Sequence, residues 1–195
     1  MRKVIVSMNI TLDGFIAGPD DELDWHFNYW DDEMTRCFSE QLSETDTIIL
    51  GRVTYSAMAG FWSLKSKDLS MPREDLAFAE MMNSHTKVVF TKTLTQPAWH
   101  NSHFIKDSLK KTVLTLKRQP GKHMIVYGSG LLVSSLMKLG LVDEYILWLH
   151  PVLLGRGISF FKKQGHPPDL KLLRTRTFNS GVVALYYKTG HATYA

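Results

Sequence analysis

Glycine-bearing turns at the ends of two apolar runs are where this chain could grip phosphate. Thr47-Ile48-Ile49-Leu50 leads into Gly51-Arg52-Val53-Thr54-Tyr55, and Met124-Ile125-Val126-Tyr127 leads into Gly128-Ser129-Gly130-Leu131-Leu132. Each reads as a strand, a turn and the start of a helix. A helix N-terminus presents unpaired N–H groups and about half a positive charge, and glycine lets an anion come close to the backbone. Arg52 can hold a phosphate bidentately, and the Thr54 hydroxyl can donate from the first helical turn. Taken singly, either segment is equally a tight strand–helix connection, with Thr54 capping and Arg52 in water. Together they fit a ligand with several phosphates, such as a dinucleotide.

Other chemistries fit less well. Gly128-Ser129-Gly130 is not a full G-x-G-x-x-G fingerprint, because Val133 holds the third glycine position and Trp148 stands where an acidic residue is expected. Ser129 lacks the G-x-S-x-G frame of a nucleophile elbow. The eight histidines include the close pair His100 and His103, but no H-E-x-x-H or cysteine pair completes a zinc set, so no metal is expected and the histidines read as scattered surface and loop residues. Cys37 reads as a small core filler within a helix. Trp25, Phe27, Tyr29 and Trp30 could wall a pocket or pack on the edge of the core.

The elements that must position these residues alternate. Residues 3–9, 47–50, 87–91, 123–127 and 143–149 read as strands, and residues 99–105 as an extended segment. Helices are expected from Asp31 or Asp32 to Leu42, over 53–59, from Pro72 to Asn83, over 108–119, and over 131–139 up to Gly140. Asp13-Gly14 is a turn, 17–22 a polar loop, and 61–70 irregular. The two runs 171–177 and 182–188 flank Asn179-Ser180-Gly181 as a β-hairpin. Alternating strands and helices imply an α/β fold, a mainly parallel sheet covered on both faces, with the hairpin adding antiparallel strands at one edge. Ligands on such sheets bind beyond the carboxyl ends of the strands, where both glycine turns fall.

Composition sets the outer limits. The 195 residues are one domain's worth, and no apolar stretch reaches the length of a membrane span. A single cysteine permits no internal disulfide, so a reducing cytoplasm is the expected location, with no membrane partner. The formal charge of +4 favours anionic ligands without choosing one. Lys106, Lys110, Lys111, Lys117, Arg118 and Lys122 crowd one region, and they read as the wet side of a helix that buries Leu109, Val113 and Leu116. With no zinc-finger or RRM-type motif beside them, nucleic acid is not the expected partner; binding through this helix would show steep salt dependence.

The ordered set Ser7-Met8-Asn9-Ile10-Thr11-Leu12-Asp13-Gly14-Phe15-Ile16-Ala17, Leu50–Tyr55, Val126–Gly130, Gly140–Tyr145 and His150-Pro151-Val152-Leu153-Leu154-Gly155-Arg156-Gly157 resembles the dihydrofolate reductase-like superfamily. More narrowly, it resembles the bacterial group sharing the reductase domain of the bifunctional riboflavin-biosynthesis protein. The resemblance implies a three-layer fold with about eight strands, an NADPH-dependent reductase, and a homodimer. It places Gly51, Arg52, Val53 and Thr54 on the phosphates of the adenosine side, with Thr91 and Lys92 near the 2′-phosphate. Gly128, Ser129, Gly130 and Leu131 would cradle the pyrophosphate, and Asn9, Ile10 and Ile16 would line the nicotinamide. Asp24, Trp25, Tyr55, Trp62 and Tyr127 would face a small heterocyclic substrate, pterin-like or pyrimidine-like, between residues 24–30 and the helix after Gly51. Tyr127 stands where the riboflavin reductases carry a glutamate. A catalytic acid at the start of the first helix would be Asp31 or Asp32, although both also suit helix capping. The alternative is a protein that binds NADPH without reductase turnover.

Overall fold

The computed structural model describes residues 1–65, 73–161 and 169–190. The chain opens with β1 (Val4–Thr11), β2 (Phe15–Ala17), a 3-10 helix (Asp24–Tyr29), α1 (Asp32–Ser43), β3 (Thr45–Gly51) and α2 (Arg52–Lys65). It continues through α3 (Arg73–Ser84), β4 (Thr86–Phe90), β5 (Ser102–Ile105), α4 (Leu109–Arg118), β6 (His123–Gly128) and α5 (Gly130–Lys138). It closes with β7 (Glu144–His150), β8 (Ile158–Ser159), β9 (Leu170–Thr177) and β10 (Val183–Thr189). Eight strands form one sheet in the order β5-β4-β3-β6-β1-β7-β10-β9. The first six are parallel, and the hairpin β9–β10 joins β7 antiparallel, so the α/β class and the C-terminal edge hairpin are as the sequence reads.

β1 and β6 are buried on both faces, which is why their sequences run apolar rather than alternating. On one face α1, α2 and α3 pack through Phe38, Leu42, Tyr55, Ala59, Phe78 and Met82. On the other, α4 and α5 contribute Val113, Leu132, Val133 and Leu136. The result is three layers. Asp31 caps α1 by accepting the Met34 N–H at 2.8 Å, and Phe38 from that helix stacks on Trp148 of β7 at 4.1 Å between ring centroids. Cys37 is buried as core filler beside the Tyr186 hydroxyl.

Several local expectations need correction. The helix after Gly51 does not stop at residue 59: α2 runs to Lys65, because Trp62 packs edge-on against Phe78 and its carbonyl accepts from Asn83, so 61–65 are helical rather than irregular. Residues 66–70 and Pro72 lie outside the described residues. Within 99–105 only Ser102–Ile105 is a strand. Ala17 ends a short strand that pairs with β8, a contact between segments roughly 140 residues apart. The aromatic stretch before α1 is a 3-10 helix. Lys117 does not sit on the wet side of α4: it is 5% exposed and its ammonium meets Asp143 at 2.6 Å. Among the described residues no helix is long and apolar enough to cross a membrane.

Lys87 of β4 is fully buried and makes no ion pair with a carboxylate among the described residues. Its ammonium donates to the Met82 and Asn83 carbonyls at the end of α3, at 3.1 and 2.6 Å, and lies over the Trp99 ring. Burial pushes its pKa down to about 8 from 10.5. Between those values the unfolded chain holds the extra proton, so Lys87's contribution to stability grows with pH and is lost as pH falls through about 8. Urea unfolding at pH 8 and pH 10 should show wild-type protein gaining about 2 kcal/mol relative to Lys87→Met over that interval. Parallel stabilities at both pH values would refute a depressed lysine here.

Candidate active site

All six parallel strands end on the same side of the sheet, and both glycine turns lie at that end. In the register of β3 and β6, Leu50 faces Gly128, so the two glycine turns lie side by side. They interlock. A Cβ on Gly51 would come within 2.6 Å of Ser129 Oγ, and one on Gly128 within 2.8 Å of Thr54 Oγ1. A Cβ on Gly130 would meet the tip of Ile16 at 2.5 Å. The N-termini of α2 and α5 therefore converge on one place, with Ile16 from β2 as its third wall. Gly128 itself has φ +137°, a conformation open to glycine and strained for other residues, and the Gly128–Ser129 peptide is cis.

β3 and β4 pair so that Gly51 faces Phe90, which sets Arg52 beside Thr91 and Lys92. Arg52 and Lys92 are exposed and make no ion pair or side-chain hydrogen bond with the described residues, whereas the buried Thr91 hydroxyl accepts the Thr93 and Leu94 N–H groups. Val53 and Leu131 are 50% and 70% exposed at the first turns of their helices. These two cations, unpaired among the described residues, stand next to two glycine-lined helix N-termini, an arrangement that can hold several phosphates.

The neighbouring strands carry a different chemistry. Strand alternation puts Tyr127 of β6, Asn9 of β1 and His150 of β7 on the α1 face near the strand ends, while Ile10 points to the other face, into the α5 core. His150 is fully buried, and its Nε2–H donates to the Asn9 side-chain oxygen at 3.1 Å. Trp25, His26 and Tyr29 of the 3-10 helix set their rings against it edge-on, with centroids 5.3, 6.0 and 6.1 Å away. Burial, and then the His26 ring, push the His150 pKa down to about 4. His26 is lowered too, by burial first, with the Leu23 carbonyl and Asp24 pulling back. Both imidazoles are neutral at pH 7. Burial also pushes the Tyr127 phenol up, and its hydroxyl has no partner among the described residues.

The reading of the histidines as scattered surface residues is therefore corrected at His26 and His150. His150 follows Ile146 and Trp148 at a period of two, a signal that pointed inward. His100 and His103 do lie exposed, and the described residues include no group of three metal-ligating side chains.

Of the acceptor-side residues, Trp25 joins this aromatic row, Tyr127 packs on the core of the same sheet face, and Asp24 is exposed. Tyr55 does not: it is 3% exposed, packs against Phe104, and its hydroxyl accepts the Trp99 N–H at 3.0 Å. Trp62 likewise packs toward Phe78. The Asp31 carboxylate is occupied by its cap, and Asp32 is exposed in the first turn of α1. Asp13 shapes its turn, accepting from Thr11 Oγ1 at 2.6 Å and from the Gly155 N–H at 2.7 Å, and these bonds, the Thr11 one foremost, hold its carboxyl below the usual range. This pins the turn after β1 to the loop after β7.

The RibD C-terminal domain family matches residues 2–184. The chain is 36% identical over 186 residues to the uncharacterized protein YyaP of Bacillus subtilis, covering 95% of this chain and 94% of that one. Its fold superposes on a Shewanella sp. PV-4 protein described as a candidate for riboflavin biosynthesis, with a TM-score of 0.78 at 19% identity, over 97% of this chain and 99% of the other. Dihydrofolate reductase from Enterococcus faecalis, solved with NADP(H), superposes with a TM-score of 0.63 at 15% identity over 97% of both chains.

Proposed function

The chain belongs to the RibD C-terminal domain family, and from that premise we propose that it is an NADPH-dependent reductase of a pterin-like or pyrimidine-like heterocycle of the riboflavin-precursor type. The observation that carries this reading is the interlocked pair of glycine turns, in which a Cβ on Gly51 or Gly128 would clash and two helix N-termini able to bind one anionic ligand stand side by side.

NADPH, when bound, supplies the hydride; the chain's work is to hold and orient. Gly128, Ser129, Gly130 and Leu131 take the pyrophosphate at the start of α5, and Gly51, Arg52, Val53 and Thr54 take the adenosine-side phosphates at α2. Lys92 joins Arg52 at the 2′-phosphate. Ile16 and the strand end at Asn9 and Ile10 wall the nicotinamide. That puts the reducible ring of the acceptor over Tyr127 and Asn9, on the α1 face, under Trp25. Hydride delivered to a ring carbon leaves a proton to be added at the adjacent nitrogen. With Asp31 engaged in its cap, Asp32 is the carboxylate at the head of α1 free to pass that proton from water. We also propose a homodimer, supported by the outer strand β9, where Leu170, Leu172 and Leu173 are 39%, 48% and 49% exposed.

The test is NADPH oxidation followed by absorbance against a panel of pteridines and aminopyrimidines, alongside calorimetry with NADPH. Turnover on at least one acceptor is expected. Tight NADPH binding with no turnover would instead favour a nucleotide-binding protein, and no heat with either pyridine nucleotide would refute both readings.

A further inference from the structure

Six buried side-chain polar atoms have no partner among the described residues, and three of them lie together: Trp25 Nε1, His26 Nδ1 and His150 Nδ1. Buried polar groups are almost always paired, so a cluster of orphans calls for a reason. The rings cannot pair with one another as they stand. Trp25 and His26 meet His150 at interplanar angles of 89° and 73°, edge to face, with no hydrogen bond between them.

The hydrogen bond to Asn9 fixes the chemistry on offer. Because His150 Nε2 faces the Asn9 side-chain oxygen, that nitrogen carries the ring proton, and Nδ1 of the neutral imidazole is left as a bare lone pair. The indole Nε1 of Trp25 can only donate. One acceptor and one donor, with the unpaired His26 Nδ1 beside them, thus sit in an aromatic box. The 3-10 segment that carries Trp25 and His26 is seated on His150 by ring contacts alone. Its backbone hydrogen bonds stay between residues 23 and 30, and the Trp30 indole donates to Thr35. Among the described residues no hydrogen bond ties it to the sheet; it is held by packing, with Tyr29 on the core and the Trp30 ring 4.6 Å from Phe38.

We propose that His150 and Trp25, with His26 beside them, are the specificity-determining residues of the acceptor site: His150 Nδ1 takes a ring N–H and Trp25 Nε1–H meets a carbonyl on the same edge of an uncharged heterocycle. This rests on the reductase reading above. It replaces Tyr55 and Trp62 as the residues that recognise the acceptor. It also assigns recognition to neutral donors and acceptors rather than to an ion pair.

The probes are 5,6-diaminouracil, which has ring N–H groups beside its carbonyls, and 5,6-diamino-1,3-dimethyluracil, which has methyl groups in their place. Each is titrated by calorimetry into protein saturated with NADPH. The parent should bind about tenfold more tightly than its dimethyl analogue, since a site built around an N–H rejects a ligand lacking it. His150→Phe keeps the ring and loses the nitrogen, and it should bring the two affinities within about twofold. Trp25→Phe should weaken both probes alike, because both keep their carbonyls. Should His150→Phe not fold, the 15N shift of His150 Nδ1 in the wild-type protein serves instead: it moves when diaminouracil binds. Equal affinities in the wild type, discrimination surviving His150→Phe, an unmoved Nδ1 shift, or no binding of either probe to NADPH-loaded protein would overturn the assignment while leaving the cofactor reading in place. Failure of the wild type to bind NADPH would sink that reading, and this assignment with it.

Discussion

Gly128→Ala is expected to lower NADPH affinity by at least about a hundredfold, the largest effect expected of any single substitution in the cleft. A methyl group there would lie 2.8 Å from Thr54 Oγ1 and 3.4 Å from its Cγ2, so the first turn of α2 must shift to admit it. The residue's φ of +137° adds backbone strain of about 1–3 kcal/mol for any side chain. Both changes would pry apart the two helix N-termini proposed to seat the phosphates. Gly51→Ala should behave in the same way, since its methyl meets Ser129 Oγ at 2.6 Å and the Ser129 backbone nitrogen at 3.2 Å. Gly130→Ala is the internal control. Its methyl meets only the Cδ1 tip of Ile16, which can rotate aside, and its loss should be a few-fold. Calorimetry with NADPH reads all three, and thermal melting shows that each variant is folded. If Gly128→Ala binds NADPH within a few-fold of wild type, the interlocked turns are not the cofactor's seat.

That interlocking marks where sequence and structure part company. Each glycine turn is legible as a strand–turn–helix, and so is the rule that ligands sit at carboxyl ends of parallel strands. The adjacency of the turns is not, because it depends on β6 entering the sheet between β3 and β1, a crossover that no local pattern encodes. Strands β2 and β8 escape for a related reason. Three and two residues long, they exist only because Asp13 and Gly14 bind the loop after β7 to the turn after β1. Helix α2 reads as ending near Gly60 because glycine and two aromatics follow it, yet Trp62 finds Phe78 and the helix continues. Lys117 counts as a surface charge until Asp143, far along the chain, is brought to it.

On the acceptor side the signals that mislead are aromatic. Tyr55 and Trp62 share a helix with Arg52 and Thr54, so proximity in sequence recruits them to the site, but the same helix must bury one side, and both face that way. His150 is the converse. Its alternation with Ile146 and Trp148 places it inward, and the unpaired nitrogen gives the position a purpose that a core-filling residue would lack. At the start of α1 the capping reading holds for Asp31, which accepts the Met34 N–H, and Asp32 lies exposed in the first turn.

Arg52 carries the most selective expectation. It opens α2 with its guanidinium exposed and uncommitted among the described residues, and the pairing of Gly51 with Phe90 sets it beside Thr91 and Lys92 on the adjoining strand. The only difference between NADPH and NADH is a 2′-phosphate, a dianion at neutral pH that a bidentate arginine meets with two charge-assisted hydrogen bonds. Arg52→Ala should therefore weaken NADPH relative to NADH by about 1–3 kcal/mol, roughly 5- to 150-fold. Lys92→Ala should produce a smaller change in the same direction, because an ammonium acts there as a point charge without the fork. Wild-type protein is expected to prefer NADPH, and since both cations are exposed, added salt should narrow that preference and leave NADH affinity nearly untouched. Calorimetric titration of both nucleotides at low and high salt measures each quantity. Equal losses of NADPH and NADH in Arg52→Ala would move Arg52 from the 2′-phosphate to the shared pyrophosphate, and a salt-independent preference would show that the discrimination comes from somewhere other than these two charges.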